Sequence, residues 1–202
     1  ATHGSPYINY PFMTVDRMKR AFEAIKAKGQ RGITIYHTLR ELSNISPELF
    51  AFRSLGDEII QSTGAFVYST EGFHVAGEGG GHAWLRAHLV SGYSPSSQQT
   101  VPSGEIDAAV AVNGDGRLVN YYIEGLAYLQ RKIGFVGVYL DGIGYDRIAM
   151  LRLARTLNAG GADYYLPFHS GDDFKNPWSE RRAAPVVFYM EHLPYVTQLM
   201  FG

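Results

Sequence analysis

The run Gly134-Phe-Val-Gly-Val-Tyr-Leu-Asp141-Gly-Ile-Gly-Tyr-Asp146-Arg147 takes an apolar stretch straight into carboxylates, glycines and an arginine. Phe135, Val136, Val138, Tyr139 and Leu140 read as a strand covered on both faces by helices. Asp141 then stands at the strand's carboxyl end, where a parallel α/β sheet keeps its chemistry and a rigid backbone can aim an acid at a ligand. Gly142 and Gly144 let the chain turn sharply beside it. Two plainer roles compete with this one. Asp146 can serve as the N-cap of a following helix, and Asp141 can be structural.

Other expected strand ends gather similar groups. Tyr36, His37, Arg40 and Glu41 follow Gly32-Ile-Thr-Ile-Tyr-His37, while His169, Asp172 and Asp173 follow Ala162-Asp-Tyr-Tyr-Leu-Pro-Phe-His169. Tyr145 and Arg147 flank Asp146, and Glu191 and His192 lie in a later apolar stretch. Carboxylates mixed with Tyr, His and Arg suit a sugar: aromatic faces stack on its C–H surfaces and charged groups take hydrogen bonds from its hydroxyls. A metal held by His37, His169 and His192 is the sharpest alternative chemistry, yet no His-x-His, His-Glu-x-x-His or calcium-loop spacing occurs. His74-Val-Ala-Gly-Glu-Gly-Gly-Gly-His82 lacks the Gly-Lys-Ser/Thr ending of a phosphate loop. No Gly-x-Ser-x-Gly elbow supports a serine hydrolase.

The elements that must position these groups alternate between helix and strand. Thr14 is the expected cap of a helix running to about Lys28, with Val15, Met18, Ala21, Phe22 and Ile25 at helical spacing and Gly29 ending it. Further helices are expected from Leu118 to Ile133 and from Asp146 to about Leu157, with a closing strand near Gln198 to Phe201. The stretch from Ser43 to Gly116 reads as an irregular, lid-like insertion with a helix from Pro47 to about Gln61. About four buried strands between helices imply a parallel sheet, which falls short of a complete eight-stranded barrel. The expected fold is therefore α/β: a partial or complete (β/α) TIM-type barrel with a long insertion. Residues 1–202 read as one domain whose ends look cut, so that further domains of the same polypeptide are expected.

Composition narrows the partners. Eighteen Lys and Arg balance 19 Asp and Glu without a run of either sign, so a nucleic-acid partner is not expected. No segment approaches the length of a membrane span, and the absence of cysteine removes disulfides and thiolate metal sites. Localisation stays open, with a secreted or periplasmic setting compatible. Asn44-Ile-Ser46 matches a glycosylation sequon, a pattern too common to carry weight.

Several blocks together resemble the barrel region of large proteins akin to glycoside hydrolase family 123. They are Asn9-Tyr-Pro-Phe12, Tyr36-His-Thr-Leu-Arg-Glu-Leu42, Arg53-Ser-Leu-Gly-Asp-Glu58, Asn120-Tyr-Tyr-Ile-Glu-Gly125, Tyr139 to Arg147 and Tyr189-Met-Glu-His-Leu-Pro-Tyr195. The resemblance implies a glycosidase that needs no cofactor. The characterised family uses an adjacent Asp-Glu pair, with the substrate's acetamido group as nucleophile and the Glu as acid. This chain departs there: Gly142 follows Asp141, and the only Asp-Glu dipeptide, Asp57-Glu58, falls in an expected helix. Asp141 is then a direct nucleophile or a stabiliser of an oxocarbenium-like transition state, with Glu191, Asp172 or Asp146 as proton donor. Tyr36, His37, Arg40, Glu41, Tyr145, Arg147 and His169 are the expected sugar contacts. A non-catalytic carbohydrate-binding barrel and a metal-dependent lyase or aldolase are the alternatives.

Overall fold

A computed structural model describes residues 10–39, 41–60, 98–101, 103–112, 117–141, 147–161, 163–169 and 193–200. Four short strands form a parallel sheet in the order β1 (Thr34–Tyr36), β5 (Gly137–Asp141), β6 (Pro167–His169) and β7 (Gln198–Met200). Helix α1 (Val15–Ala27) precedes β1, α3 (Arg117–Ile133) precedes β5 and α4 (Arg147–Asn158) precedes β6. This is the expected alternation of helix and strand, and the four strands are an arc of a (β/α) barrel.

The helices follow from apolar spacing. In α3, Leu118, Val119, Tyr122, Ile123, Leu126, Leu129 and Ile133 are buried, one stripe at the helical period. They pack on Ile35, Val138, Leu140 and Phe168, which are almost wholly enclosed. Each such side chain contributes about 1.5–3 kcal/mol of burial. Helix α1 ends as expected at Gly29, whose φ of +76° is the left-handed conformation of a C-cap glycine. Its start differs from expectation: the Thr14 hydroxyl donates to the Pro11 carbonyl 3.1 Å away and makes no cap hydrogen bond to α1.

Two glycines permit close approaches. A Cβ on Gly125 would stand 2.6 Å from Phe12 Cζ, so this glycine lets the Phe12 ring lie on α3. A Cβ on Gly137 would stand 1.8 Å from the Tyr165 carbonyl oxygen, which accepts the Val138 amide at 3.1 Å. Pro167 opens β6 rather than interrupting it, since the first residue of a strand tolerates a missing N–H.

The insertion is more ordered at its base than its composition suggests. A second sheet, antiparallel and in the order β2-β4-β3, joins β2 (Glu41–Ser43), β3 (Gln98–Thr100) and β4 (Ile106–Ala111). Ser43 Oγ donates to the wholly buried Asp107 at 2.5 Å. Asn44 closes the junction: its Nδ2 donates to the Ile106 carbonyl and its Oδ1 accepts the Ala108 amide at 2.7 Å. The Asn44-Ile-Ser46 sequon is therefore structural, with its amide buried and engaged. The helix expected from Pro47 to about Gln61 is shorter, α2 (Glu48–Arg53) followed by a 3-10 turn at Gly56–Glu58. The glycine-rich loop His74 to His82 lies outside the described residues.

Gly137→Ala is expected to destabilise the protein by more than about 3 kcal/mol in denaturant unfolding, because backbone must move. Gly29→Ala, with open space around the Cβ, is expected to cost only about 1–2 kcal/mol of left-handed strain. Equal costs for the two variants would contradict the close approach at β5 and β6.

Candidate functional site

The carboxyl ends of β1, β5 and β6 meet at one edge. Tyr36 is registered with Tyr139 across β1 and β5, and Asp141 with His169 across β5 and β6. Asp141 lies two positions beyond Tyr139 on β5, in the same pleat row of the backbone. The Tyr36 and Tyr139 rings stack with centroids 5.7 Å apart. Tyr36 Oη donates to Glu41 Oε1 at 3.0 Å, which fixes a half-buried carboxylate beside the end of β1.

His37 follows Tyr36 and, by strand alternation, faces the opposite side. It is 3 % exposed and packs into the helix layer, where its ring stacks on Tyr122 at 4.5 Å and meets the edge of Phe12 at 5.9 Å. Tyr122 Oη donates to the His37 carbonyl at 2.7 Å, which ties the end of β1 to α3. Burial lowers the His37 pKa from 6.5 to about 3, so the ring is neutral at ordinary pH. Among the expected sugar contacts, His37 thus stands on the helix side and Tyr36 on the other. Arg147 is exposed at the first residue of α4. Arg40, Tyr145, Asp146, Asp172 and Glu191 lie outside the described residues, and Asp141 and His169 are described through their backbone.

A second polar group stands nearby and was not singled out from the sequence. Tyr10 Oη donates to Glu48 Oε2 at 2.5 Å, linking the segment before α1 to α2. Tyr121 of α3 adjoins both. Burial, then Glu48, pushes the Tyr10 and Tyr121 phenols above their ordinary range. Tyr10 and Phe12, His37, and Tyr121 and Tyr122, separated in sequence, therefore converge at one place. Helical spacing was the available signal, since it puts Tyr122 on the buried stripe of α3.

The Asp57-Glu58 pair has a different occupation. Arg117, the first residue of α3, donates to Glu58 through both its side chain and its backbone amide, and its guanidinium and the Glu58 carboxylate form an ion pair. These hydrogen bonds hold the Glu58 carboxyl down at about 2, far from the range of a proton donor near neutrality. Among the described residues, no three His, Cys, Asp or Glu side chains stand together as a metal site, and no helix is long and apolar enough to cross a membrane.

Residues 1–202 match the glycoside hydrolase 123, TIM-barrel domain family. The chain belongs to this family. Solved structures add the fold. An α-amylase from Geobacillus thermoleovorans, complexed with acarbose, is 9% identical, with a TM-score of 0.52 over 92% of this chain and 34% of that one. An Anoxybacillus α-amylase is 11% identical, with a TM-score of 0.48 over 92% of this chain and 33% of that one. The chain thus spans about a third of the length of the solved structures it matches. No curated protein sequence matches it. At such identity the Geobacillus thermoleovorans amylase shows a shared barrel architecture and nothing of chemistry. Family membership supports a glycosidase-type function.

The neutral, enclosed His37 sets a pH dependence. The unfolded chain takes up this proton near 6.5 and the folded chain only near about 3, so stability is full above 6.5 and is lost as the pH falls through that window. The expected slope approaches about 1.4 kcal/mol per pH unit at most. Denaturant unfolding at several pH values should show this slope in the wild type and its loss in His37→Phe. Parallel curves would place His37 in solvent.

Proposed function

We propose that the protein is a glycoside hydrolase acting on an O-glycosidic bond of a glycan, with Asp141 as the central carboxylate. The registered pairing of Asp141 with His169, at the carboxyl ends of adjacent parallel strands, carries this reading. A strand end is the most rigid platform the fold offers, and it is where barrel enzymes hold acids against substrate.

In this reading Asp141 attacks the anomeric carbon or stabilises the positive charge that develops there. Glu191, Asp172 or Asp146 donates the proton to the leaving oxygen. Glu41, oriented by the Tyr36 hydroxyl, accepts hydrogen bonds from sugar hydroxyls, and Arg40, Tyr145, Arg147 and His169 complete the contacts. His37 supports the end of β1 from the helix side. Glu58 is set apart as a proton donor by its engagement with Arg117. Gly142 after Asp141 removes the adjacent acid that a substrate-assisted mechanism uses.

Asp141→Asn keeps size and hydrogen bonding while removing the charge. Across a panel of oligosaccharides, turnover is expected to fall by roughly 10³-fold or more while binding changes by only a few fold. Unchanged turnover in the variant would refute the role of Asp141. Glycan affinity without hydrolysis in the wild type would make the barrel a binding module.

A further inference from the structure

Charge is unevenly spread over this nearly neutral chain. Six of its 18 Lys and Arg fall within residues 17–31, on and just after α1, and all six are exposed. Two of them, with Lys132, gather where α1 packs on α3. Lys19, Phe22 and Lys26 stand at i, i+3 and i+7 along one flank of α1, and Gly125, Tyr128 and Lys132 repeat that spacing on α3. The two flanks face each other. Phe22 reaches the end of α3, since a Cβ on Gly134 would stand 3.2 Å from its ring, and Phe12, just ahead of α1, lies on Gly125 with its ring 6.3 Å from that of Tyr128. The lysines border the rings: Lys26 Nζ is 5.4 Å from the Phe22 centroid and Lys132 Nζ 5.8 Å from that of Tyr128. The Tyr128 ring is 41% exposed. Glu23 is the one acid between Lys19 and Lys26, and among the described residues none of the three lysines is in an ion pair.

We propose that this seam between α1 and α3 is a second glycan-binding surface, which takes an anionic segment of a polysaccharide. An exposed phenol face stacks on the C–H surface of a pyranose. Ammonium groups on both sides of it donate to carboxylate or sulfate groups repeated along the same chain. Lys19 and Lys26 are two helical turns apart, about 10 Å, so they meet successive anions rather than one. All three cations are lysines, point charges without the planar fork that favours phosphate, and a nucleic acid fits less well. The seam presents one exposed ring and no exposed aliphatic stripe among the described residues, which disfavours a lipid surface. Lys26 and Lys132 stand near the ends of the helices that lead into β1 and β5, so the surface lies toward the opposite end of the sheet from Asp141. It tethers a polymer chain and raises its local concentration at the strand ends. The choice of a glycan rests on the glycoside hydrolase reading. Binding is measured without turnover, so a protein that holds the glycan here and hydrolyses nothing would count against that reading alone.

Calorimetric titration with oligogalacturonate, dextran sulfate and neutral dextran tests the surface and separates carboxylate from sulfate as the anion. At least one acidic glycan is expected to bind at least about 10-fold more tightly than dextran and to weaken with added salt. Combined Lys19→Glu, Lys26→Glu and Lys132→Glu should cost at least about 10-fold in that affinity, and the three Lys→Gln changes, should the reversed variant misfold, several fold. Tyr128→Ala should weaken the acidic glycan and leave polyglutamate, oligothymidylate and phosphatidylglycerol vesicles unaffected. No binding of either acidic glycan, or an affinity unmoved by the lysine variants, would overturn the proposal. So would polyglutamate, oligothymidylate or vesicles bound as tightly as the glycan, which would make the seam a general polyanion surface.

Discussion

The two-residue period of strand β1 is the constraint on which this site depends. A pleated strand sends consecutive side chains to opposite faces, so Tyr36 and His37, adjacent in sequence, serve different parts of the molecule. Tyr36 joins the row of Tyr139 and reaches Glu41. His37 enters the helix layer, stacks on Tyr122 and loses any charge it would carry in water. The Tyr122 hydroxyl bonded to the His37 carbonyl fixes where β1 ends. Parallel pairing transmits that position to β5 and on to β6, so the height at which Asp141 and His169 finish is set by packing on the other side of the sheet.

The insertion leaves the barrel immediately after this point and is anchored as it does so. Glu41 opens β2, and the pairing of β2 with β4 is closed by Ser43 on Asp107 and by both ends of the Asn44 amide. The chain is pinned again where Ile60 bridges Val112 and where Glu58 receives Arg117 at the start of α3. A carboxylate there satisfies an orphan helix amide and meets the positive end of the helix dipole. The base of the insertion is thus held by polar contacts that leave Glu58 spoken for, while Glu41 remains beside the strand ends.

Much of the barrel arc was legible in the sequence because strong periodicity marks it. The apolar stripe of α3, the glycine after α1 and the continuous run before Asp141 each follow from one local rule, and each lies where that rule puts it. The small antiparallel sheet was not legible. Its strands are short, Ile106–Ala111 carries alanines and an aspartate, and its polar residues are satisfied by partners more than 60 positions away. The opposed facings of Tyr36 and His37 follow from strand periodicity, but a reading that gathers residues by their proximity to a strand end overlooks them. The clustering of Tyr10, Glu48 and Tyr121 comes from tertiary packing alone, since a hydrogen bond spanning 38 positions leaves no local pattern.

The central claim is that Asp141 is one member of a carboxylate pair at the strand ends. The separation of the Asp141 carboxylate from its nearest acid partner, measured in a crystal structure with a bound glycan fragment, tests it most directly. The account predicts a second carboxylate at about 5–5.5 Å for a retaining hydrolase or about 6.5–9.5 Å for an inverting one, with the sugar between them. No carboxylate within about 10 Å of Asp141, or a glycan bound away from the strand ends, would contradict it.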